Sequence, residues 1–140
     1  MNIKIKLIAG GKAPVYKTEG ACCADCYARL DEDVLIDEGT RKMIPLGFAM
    51  QLPQGYEGVI RPRSGLSRNG IDEVVGTIDW DYTGEVNAIV VNNTKAPFVV
   101  HNGDRICQMK IQQAEQFNFV AVPELEATVR GDKGFGSTGV

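Results

Sequence analysis

The sequence predicts an all-β fold, best described as a jelly-roll-like antiparallel β-barrel, with a sandwich as the alternative, one short helix and a flexible C-terminal arm. Three observations predict this class. Short alternating or apolar segments recur along the chain, turn residues separate them at frequent intervals, and only one stretch resembles a helical turn. The length of 140 residues suits one domain with a core of its own.

The predicted strands follow one another between turns. Residues 3–7 alternate lysine with apolar residues, and residues 42–51 form an apolar run that Pro45 and Gly47 interrupt. Four further short strands are predicted at Tyr56–Arg61, Glu85–Asn92, Phe98–Val100 and 105–111. Residues 64–69 form the one predicted helical turn, with Ser64 placed to cap it.

The C-terminal residues have a different composition. Residues 130–140 are dense in glycine around a single aromatic residue, Phe135, so they lack the apolar surface of a packed element. Glycines let backbone N–H groups surround phosphate oxygens, and an aromatic ring can cover a flat base. We therefore predict a β-barrel domain at 1–129 and an arm at 130–140 that a ligand orders, with a frayed terminus as the alternative.

Composition and charge exclude several classes of protein. The formal net charge of −3 argues against the broad basic surface that nucleic acids require. No apolar run reaches the roughly 18 residues of a membrane span, and the first residues do not form a signal peptide. We expect a cytoplasmic protein that binds neither nucleic acid nor membrane.

Four cysteines raise the question of a metal or redox site, because Cys23 and Cys26 have C-x-x-C spacing. No second C-x-x-C is present, and His101 is the only histidine. If residues 21–28 form a strand, side chains three positions apart point to opposite faces. Reduced and mostly buried thiols are therefore the favoured interpretation.

Five stretches, in order, resemble the five motifs of the homotrimeric dUTPase family. They are 23–28 (CADCYA), 61–67 (RPRSGLS), 76–86 (GTIDWDYTGEV), 102–109 (NGDRICQM) and 130–139 (RGDKGFGSTG). Each match alone is weak evidence, but five matches in order with plausible spacing are specific to the family. In the first motif Cys23 and Cys26 stand where the family usually has Gly and Leu, which accounts for the C-x-x-C without a metal.

The resemblance implies an enzyme that hydrolyses dUTP to dUMP and pyrophosphate with the help of Mg²⁺. It implies that Asp79 is the general base, activating the water that attacks the α-phosphorus. Arg63, Ser64 and Gly65 would meet the phosphates at the start of the short helix. Gln108 would add an amide donor there.

The resemblance assigns other residues to the metal, the sugar and the base. Asp25 would orient the metal indirectly, through water, and a structural aspartate at a strand end is the alternative. Tyr82 would lie against the deoxyribose and leave no room for a 2′-hydroxyl. The backbone of Thr77 and Ile78 would read uracil, and Glu73 is the candidate for a side chain beside the base.

The resemblance also implies a homotrimer whose active sites are shared between subunits, with Arg105 holding subunits together. The arm would close over the bound nucleotide. Its residues would grip the γ-phosphate or, for the aromatic ring, stack on the base: Arg130, Phe135, Gly136, Ser137 and Thr138.

Two other functions compete with this interpretation. The related dCTP deaminases carry a catalytic glutamate in the third motif, but Ile89 occupies that position here. A binding module that kept the fold and lost catalysis is the second alternative. Retention of Asp79, Tyr82 and the whole fifth motif argues against it.

Overall fold

The computed structural model describes residues 1–134 of the chain. Along these residues the elements are β1 (Lys4–Leu7), β2 (Ala24–Tyr27), β3 (Val34–Ile36), β4 (Arg41–Gln51), β5 (Tyr56–Arg61), α1 (Ser64–Ser67), β6 (Ile71–Glu73), β7 (Gly76–Ile78), β8 (Glu85–Asn92), β9 (Phe98–Val100) and β10 (Arg105–Gln113).

The strands form two four-stranded sheets and a two-stranded ribbon. One sheet has the order β1-β4-β8-β6, the other has the order β2-β10-β5-β7, and β3 pairs with β9. All of these pairings are antiparallel. The inner faces of the two large sheets share one core, in which Phe48 and Val90 of the first sheet pack with Ile60 and Cys107 of the second. The predicted all-β class is confirmed.

Strand β4 is continuous through the two residues that were expected to interrupt it. Its register with β8 shifts between Pro45 and Ala49, and Gly47 has a φ of 72° that favours glycine. At Gly11 an added Cβ would lie 1.9 Å from the carbonyl oxygen of Gly47. The bulge therefore brings the N-terminal segment into direct backbone contact with the core sheet.

The helical turn begins as predicted, but Ser64 is not its cap. The backbone is already helical at Ser64, so Arg63 is the N-cap residue, with an extended conformation and no side-chain cap hydrogen bond. The carbonyl oxygen of Arg63 accepts from the N–H groups of Leu66 and Ser67, each at 3.0 Å. The expectation of a serine cap was wrong, and the Arg63 side chain is left available for contacts outside the helix.

Strands β3, β6 and β7 are each three residues long, and the sequence pattern did not predict β3 or β6. Strand β6 pairs with β8 in one sheet, whereas β7 pairs with β5 in the other. Val74 and Val75 therefore carry the chain from one sheet to the other. The last ladder contact before this crossover is made by the N–H of Val74, which donates to the carbonyl of Ile89 at 2.9 Å.

A fully buried amide, Asn92, ties the small ribbon to the main sheet. Its Nδ2 donates to the carbonyl oxygens of Ile36 at 2.9 Å and Ala96 at 2.7 Å. Its Oδ1 accepts from the N–H of Thr94 at 2.9 Å. All three contacts are satisfied inside the core, which offsets the cost of burying a polar side chain.

The packed strands end at Gln113, and residues 114–134 continue without a strand or helix. Several large apolar side chains of this segment are exposed, among them Phe117, Phe119, Val120, Val122, Leu125 and Val129. No helix in the described part of the chain has the length and apolar character that a membrane span needs.

Candidate active site

A cluster of two arginines and one carboxylate joins three of the sequence motifs. Asp25 Oδ1 lies 3.3 Å from Arg63 Nε, and Asp25 Oδ2 lies 3.1 Å from Arg105 Nη1. Arg63 Nη1 also donates to the carbonyl oxygen of Arg105 at 2.7 Å. We call these three residues the guanidinium cluster. Because the Asp25 side chain is only 13% exposed, solvent screens these ion pairs less than it screens surface pairs.

The backbone of Asp25 is fixed as firmly as its side chain. Its N–H donates to the carbonyl of Val15 at 2.9 Å, and its own carbonyl accepts from the Val15 N–H at 3.0 Å. Both carboxylate oxygens are already occupied by guanidinium groups. Any water-mediated contact from Asp25 to a metal would therefore share oxygens that the arginines hold.

Gln108 connects the same motifs from the middle of β10. Its register partners are Asp25 on one side and Arg61 on the other, and its Nε2 donates to the carbonyl of Pro62 at 2.8 Å. Ser64 and Gly65 follow directly and are exposed. The structure therefore assembles the predicted phosphate-binding residues on one surface.

The other predicted residues lie around a turn at the end of β7. The N–H of Tyr82 donates to the carbonyl of Asp79 at 3.1 Å, which closes the turn. Beside the turn is a cavity of about 270 Å³, bordered by residues of β4, β5, β7 and β8 together with Asp79 and Tyr82. Asp79 also borders a larger cleft of about 1040 Å³ that Trp80 and Gln113 help to line. Its carboxylate is exposed at the junction of the two.

The ring of Tyr82 is held in place by two contacts. Its hydroxyl donates to the carbonyl oxygen of Glu85 at 2.9 Å. The ring lies over Gly84, where an added Cβ would come 2.5 Å from the Tyr82 hydroxyl oxygen. Because the side chain is 46% exposed, Tyr82 is not a core tyrosine and presents its ring to the surface.

Strand β7 is the edge strand of its sheet. Thr77 pairs with Val59 and Ile78 pairs with Gly58, so one row of β7 backbone groups faces away from β5. Thr77 and Ile78 both border the 270 Å³ cavity. The hairpin thus offers the unpaired N–H and C=O groups that the sequence analysis predicted.

Glu73 has a role that the sequence pattern did not reveal. The residue is 6% exposed, Oε1 accepts from the N–H of Ile89 at 3.2 Å, and Oε2 has no hydrogen-bond partner among the described residues. Burial raises the pKa of Glu73 to about 7, and the Ile89 N–H lowers it by less. Through this hydrogen bond the Glu73 carboxyl, at the end of β6, supports β8 at Ile89. Ile89 also borders the cavity.

The two groups of residues lie apart within one chain. Strands β2 and β7 are at opposite edges of their sheet, three steps of roughly 4.8 Å, or about 14 Å, from each other. Asp79 follows Ile78, and Ile78 pairs with Gly58 near the start of β5. Ser64 lies beyond Arg61, at the other end of β5, which is about 10 Å further along the strand direction. A single chain therefore does not bring Asp79 to the guanidinium cluster.

Of the predicted arm, only its first residues are described. Arg130 Nε donates to the carbonyl of Lys133 at 2.9 Å in a local, exposed turn. It makes no other side-chain hydrogen bond within residues 1–134. The remaining arm predictions lie outside the described residues: Phe135, Gly136, Ser137 and Thr138.

The cysteines form no metal centre within residues 1–134, where no cluster of three or more potential ligands is found. All four thiols are free, as expected. Cys26 and Cys107 are buried, Cys23 is half-buried and Cys22 is exposed. Cys23 precedes β2 and Cys26 points into the core, so the C-x-x-C spacing does not place the two thiols together.

Comparison with known proteins identifies the family. The dUTPase family model matches residues 9–139. A deoxyuridine 5′-triphosphate nucleotidohydrolase of Desulfotalea psychrophila is 47% identical over 130 residues, which cover 91% of this chain and 87% of that protein. The fold is similar to the Staphylococcus bacteriophage 80alpha dUTPase with dUpNHpp (TM-score 0.87, 24% identity, 99% of both chains).

A second solved structure is also similar in fold. It is a variant dUTPase from phage phi11 of S. aureus, with a TM-score of 0.83 and 19% identity over 91% of this chain and 100% of that one. That structure concerns the coordination of a structural Mg(II) ion.

Proposed function

The chain belongs to the dUTPase family, and on that basis we propose that it hydrolyses dUTP to dUMP and pyrophosphate by attack of water on the α-phosphorus. The observation that carries the proposal is the pairing of an exposed carboxylate at a cavity with a separate cationic surface. Phosphoryl transfer needs a positioned nucleophile and neutralisation of phosphate charge. The exposed carboxylate would position the nucleophile, and the cationic surface would neutralise the phosphate charge.

We propose Asp79 as the general base. Its carboxylate is exposed between the cavity and the larger cleft, and within residues 1–134 it has no ion-pair partner. A general base must reach a water molecule and keep an oxygen lone pair free to accept its proton. Asp79 meets both conditions because no cation among the described residues competes for it.

We propose that the triphosphate binds on the surface formed by Arg63, Ser64, Gly65 and Gln108. Arg63 is positioned by Asp25 and by the carbonyl of Arg105, which fixes its guanidinium before a ligand arrives. A positioned guanidinium binds phosphate oxygens in a forked geometry. Preorganisation lowers the ordering cost of binding.

The donor set fits a magnesium ion held mostly by substrate. Within residues 1–134 no protein cluster could chelate a metal alone, and Asp25 is the carboxylate nearest the phosphate-binding residues. Mg²⁺ commonly keeps several waters and binds through one or two carboxylates and substrate phosphates. We propose that Asp25 contacts it through water. When bound, the ion would neutralise phosphate charge during the reaction.

We propose that the cavity beside β7 accepts the uracil and deoxyribose. The unpaired backbone groups of Thr77 and Ile78 would bind the edge of the base. The Tyr82 ring, fixed by Glu85 and Gly84, would pack against the sugar and exclude a 2′-hydroxyl by contact.

We propose that residues 130–140 form an arm that closes over the nucleotide. Arg130 and the run Gly136, Ser137 and Thr138 would bind the γ-phosphate, and Phe135 would stack on the base. Residues 1–129 would form the domain on which the arm closes.

We propose a homotrimer with shared active sites, and the same geometry supports the sharing. Asp79 and the guanidinium cluster are separated within one chain, so a complete site requires a second copy to supply one of them. The exposed apolar residues of 114–129 provide a surface that a neighbouring copy would cover. We propose that the enzyme acts in the cytoplasm, where its free thiols remain reduced.

The decisive experiment is an assay of pyrophosphate release with dUTP, dCTP and dTTP in parallel, with and without Mg²⁺. We expect release from dUTP and at least a hundredfold lower kcat/KM for the other two, a discrimination that polar base recognition and exclusion of a methyl group together support. Equal rates with dCTP, or ammonia release from dCTP, would reject the proposal.

A further inference from the structure

A pair of lysines lies on the ring of Tyr27, outside the residues assigned above. Lys12 Nζ is 5.3 Å from the ring centroid and Lys17 Nζ is 5.4 Å from it. Both distances fall within the roughly 6 Å of a cation–π contact. Within residues 1–134, neither ammonium group has a carboxylate oxygen within 4.0 Å. The aromatic ring thus holds two ammonium groups whose charges no ion pair neutralises.

The position of Tyr27 connects this pair to the guanidinium cluster. Tyr27 lies two residues after Asp25 on β2, so both side chains point to the same face of the sheet. Its register partner on β10 is Arg105, whose guanidinium binds Asp25. Lys12 also approaches the loop before β10, with Nζ 3.8 Å from the position of a Cβ on Gly103.

Together these side chains form a cationic surface around β2 and β10, on a chain of net charge −3. Lys12, Lys17, Arg63 and Arg105 contribute its positive groups, and Asp25 pairs with the two arginines. Like charges repel, so gathering them costs energy unless an anion is bound. The Arg63 end of this surface is the proposed phosphate-binding region, and the Tyr27 end extends beyond it.

We propose that Lys12 and Lys17 form a second binding site for condensed phosphate, which receives the pyrophosphate product as it leaves the active site. Pyrophosphate is compact and multiply charged, which suits two ammonium groups on one ring better than a singly charged ligand. The ring limits the freedom of both lysine side chains, so less entropy is lost when the anion binds. This inference rests on the proposed function, because pyrophosphate is the product of that reaction.

The test measures binding of inorganic pyrophosphate to the full chain by titration calorimetry, without nucleotide, at low and high salt. Replacing both lysines (Lys12→Gln with Lys17→Gln) should weaken binding about tenfold at low salt, as expected for two partly exposed charge contacts, and should reduce the salt dependence. The matched control, Lys6→Gln with Lys95→Gln, removes the same charge from exposed positions on other elements and should leave binding within twofold.

Substitutions of the ring separate its role from that of the charges. Tyr27→Phe keeps the π face and should bind as the wild type does, whereas Tyr27→Leu keeps the bulk, removes the π face and should weaken binding about threefold. Two results would overturn the proposal. One is that the double lysine variant binds pyrophosphate within twofold of wild type. The other is that the control pair loses as much affinity for pyrophosphate as the double lysine variant does.

Turnover of dUTP by the same proteins distinguishes the possible sources of the anion. A rise in KM for dUTP without any change in the Kd for pyrophosphate would assign the site to the substrate's triphosphate, and would overturn the product role. If the wild-type chain binds pyrophosphate through these lysines but does not hydrolyse dUTP, the proposed function fails and the condensed-phosphate site stands.

Discussion

The guanidinium cluster and the β7 turn differ in how completely one chain builds them. In the cluster, Asp25 on β2, Arg105 on β10 and Arg63 at the start of α1 contact one another, and the Asp25 side chain is largely buried. At the turn, Asp79 is exposed without an ion-pair partner in the described residues, and the Tyr82 side chain is held by one hydrogen bond to the carbonyl of Glu85 and by its packing on Gly84. The proposed phosphate-binding surface is assembled within one chain, whereas the carboxylate proposed as the general base is exposed at a sheet edge.

This difference fits the chemistry proposed for each region. Guanidinium groups that bind phosphate gain from being fixed, and a buried carboxylate needs partners to offset its desolvation. A general base behaves in the opposite way, because an ion pair would stabilise its charged form and weaken it as a proton acceptor. Assembly of copies would then bring the two regions together.

Substitution of the displayed carboxylate should have the largest effect. Asp79→Asn keeps the size and removes the base, so we expect kcat to fall by about 10²–10⁴-fold with dUTP binding nearly unchanged. Steady-state kinetics provides the measurement. Asp81→Asn, at a second exposed carboxylate of the same turn, is the matched control and should stay within about threefold of wild type. An Asp79→Asn enzyme within tenfold of wild type would show that the mechanism is wrong.

Removal of the arm should be the next most damaging change. Deleting residues 130–140 should lower activity steeply and leave the β core intact, because the arm contributes little apolar surface. The milder Phe135→Ala should cost about 1–3 kcal/mol, the usual range for an aromatic that stacks on a base. Hydrogen exchange with and without a non-hydrolysable dUTP analogue tests the ordering. Equal protection in both states, or a fully active truncated chain, would contradict the closing arm.

A smaller effect, on selectivity, should follow when the Tyr82 ring is removed. Tyr82→Ala should lower the ratio of kcat/KM for dUTP over UTP by roughly tenfold, mainly through better relative use of UTP. Tyr82→Phe keeps the ring and should retain the ratio. Gly84→Ala should lower it independently, since the new Cβ would displace the hydroxyl 2.5 Å away, whereas Gly20→Ala meets nothing within 4 Å and serves as control. An unchanged ratio in Tyr82→Ala would remove the sugar assignment.

Substitution of Glu73 should have the smallest effect on activity, but it should measurably change how the stability of the fold depends on pH. Its folded pKa of about 7 lies above the ordinary 4.5, so the unfolded chain loses the proton first as pH rises. The stabilising contribution is complete below pH 4.5 and declines by about 3 kcal/mol as pH rises to 7. Glu73→Gln should abolish that decline. Parallel thermal melts from pH 4.5 to 8 measure it, and identical pH profiles for both proteins would refute the buried acid.

Sequence patterns located those strands whose residues face one core. Glu85–Asn92 alternates between buried residues and residues that are partly or fully exposed, and its predicted bounds match the structure. Strands β3 and β6 have three residues each and show no period, whereas the equally short β9 was predicted because the turn residues Asn102 and Gly103 follow it. The prediction that Pro45 and Gly47 interrupt the strand was wrong, because local propensity does not reveal that a bulge keeps β4 paired.

The motifs predicted candidate site residues but not the spatial relations between them. Their order along the chain pointed to Asp79 and Arg63 as candidates, yet only the sheet order shows that one chain keeps these two residues apart. The burial of Glu73 could not be read from an acidic residue in an unclassified segment, since its environment comes from β8 and β10. Ser64 was assigned the cap because its residue type favours that position, whereas backbone dihedral angles decide it.

Asn92 illustrates how much of this fold depends on the placement of two hydrogens. Its Nδ2 serves two carbonyl oxygens and its Oδ1 serves one N–H, all inside the core. Deamidation, the slow conversion of asparagine to aspartate, would exchange the nitrogen for an oxygen of nearly equal size. That oxygen would then face the carbonyls of Ile36 and Ala96 without a proton to share. The chemical ageing of one side chain would thus weaken the attachment of the β3–β9 ribbon to the sheet, leaving the backbone hydrogen bonds of Asn92 and the buried Ile36 and Val100 to hold it.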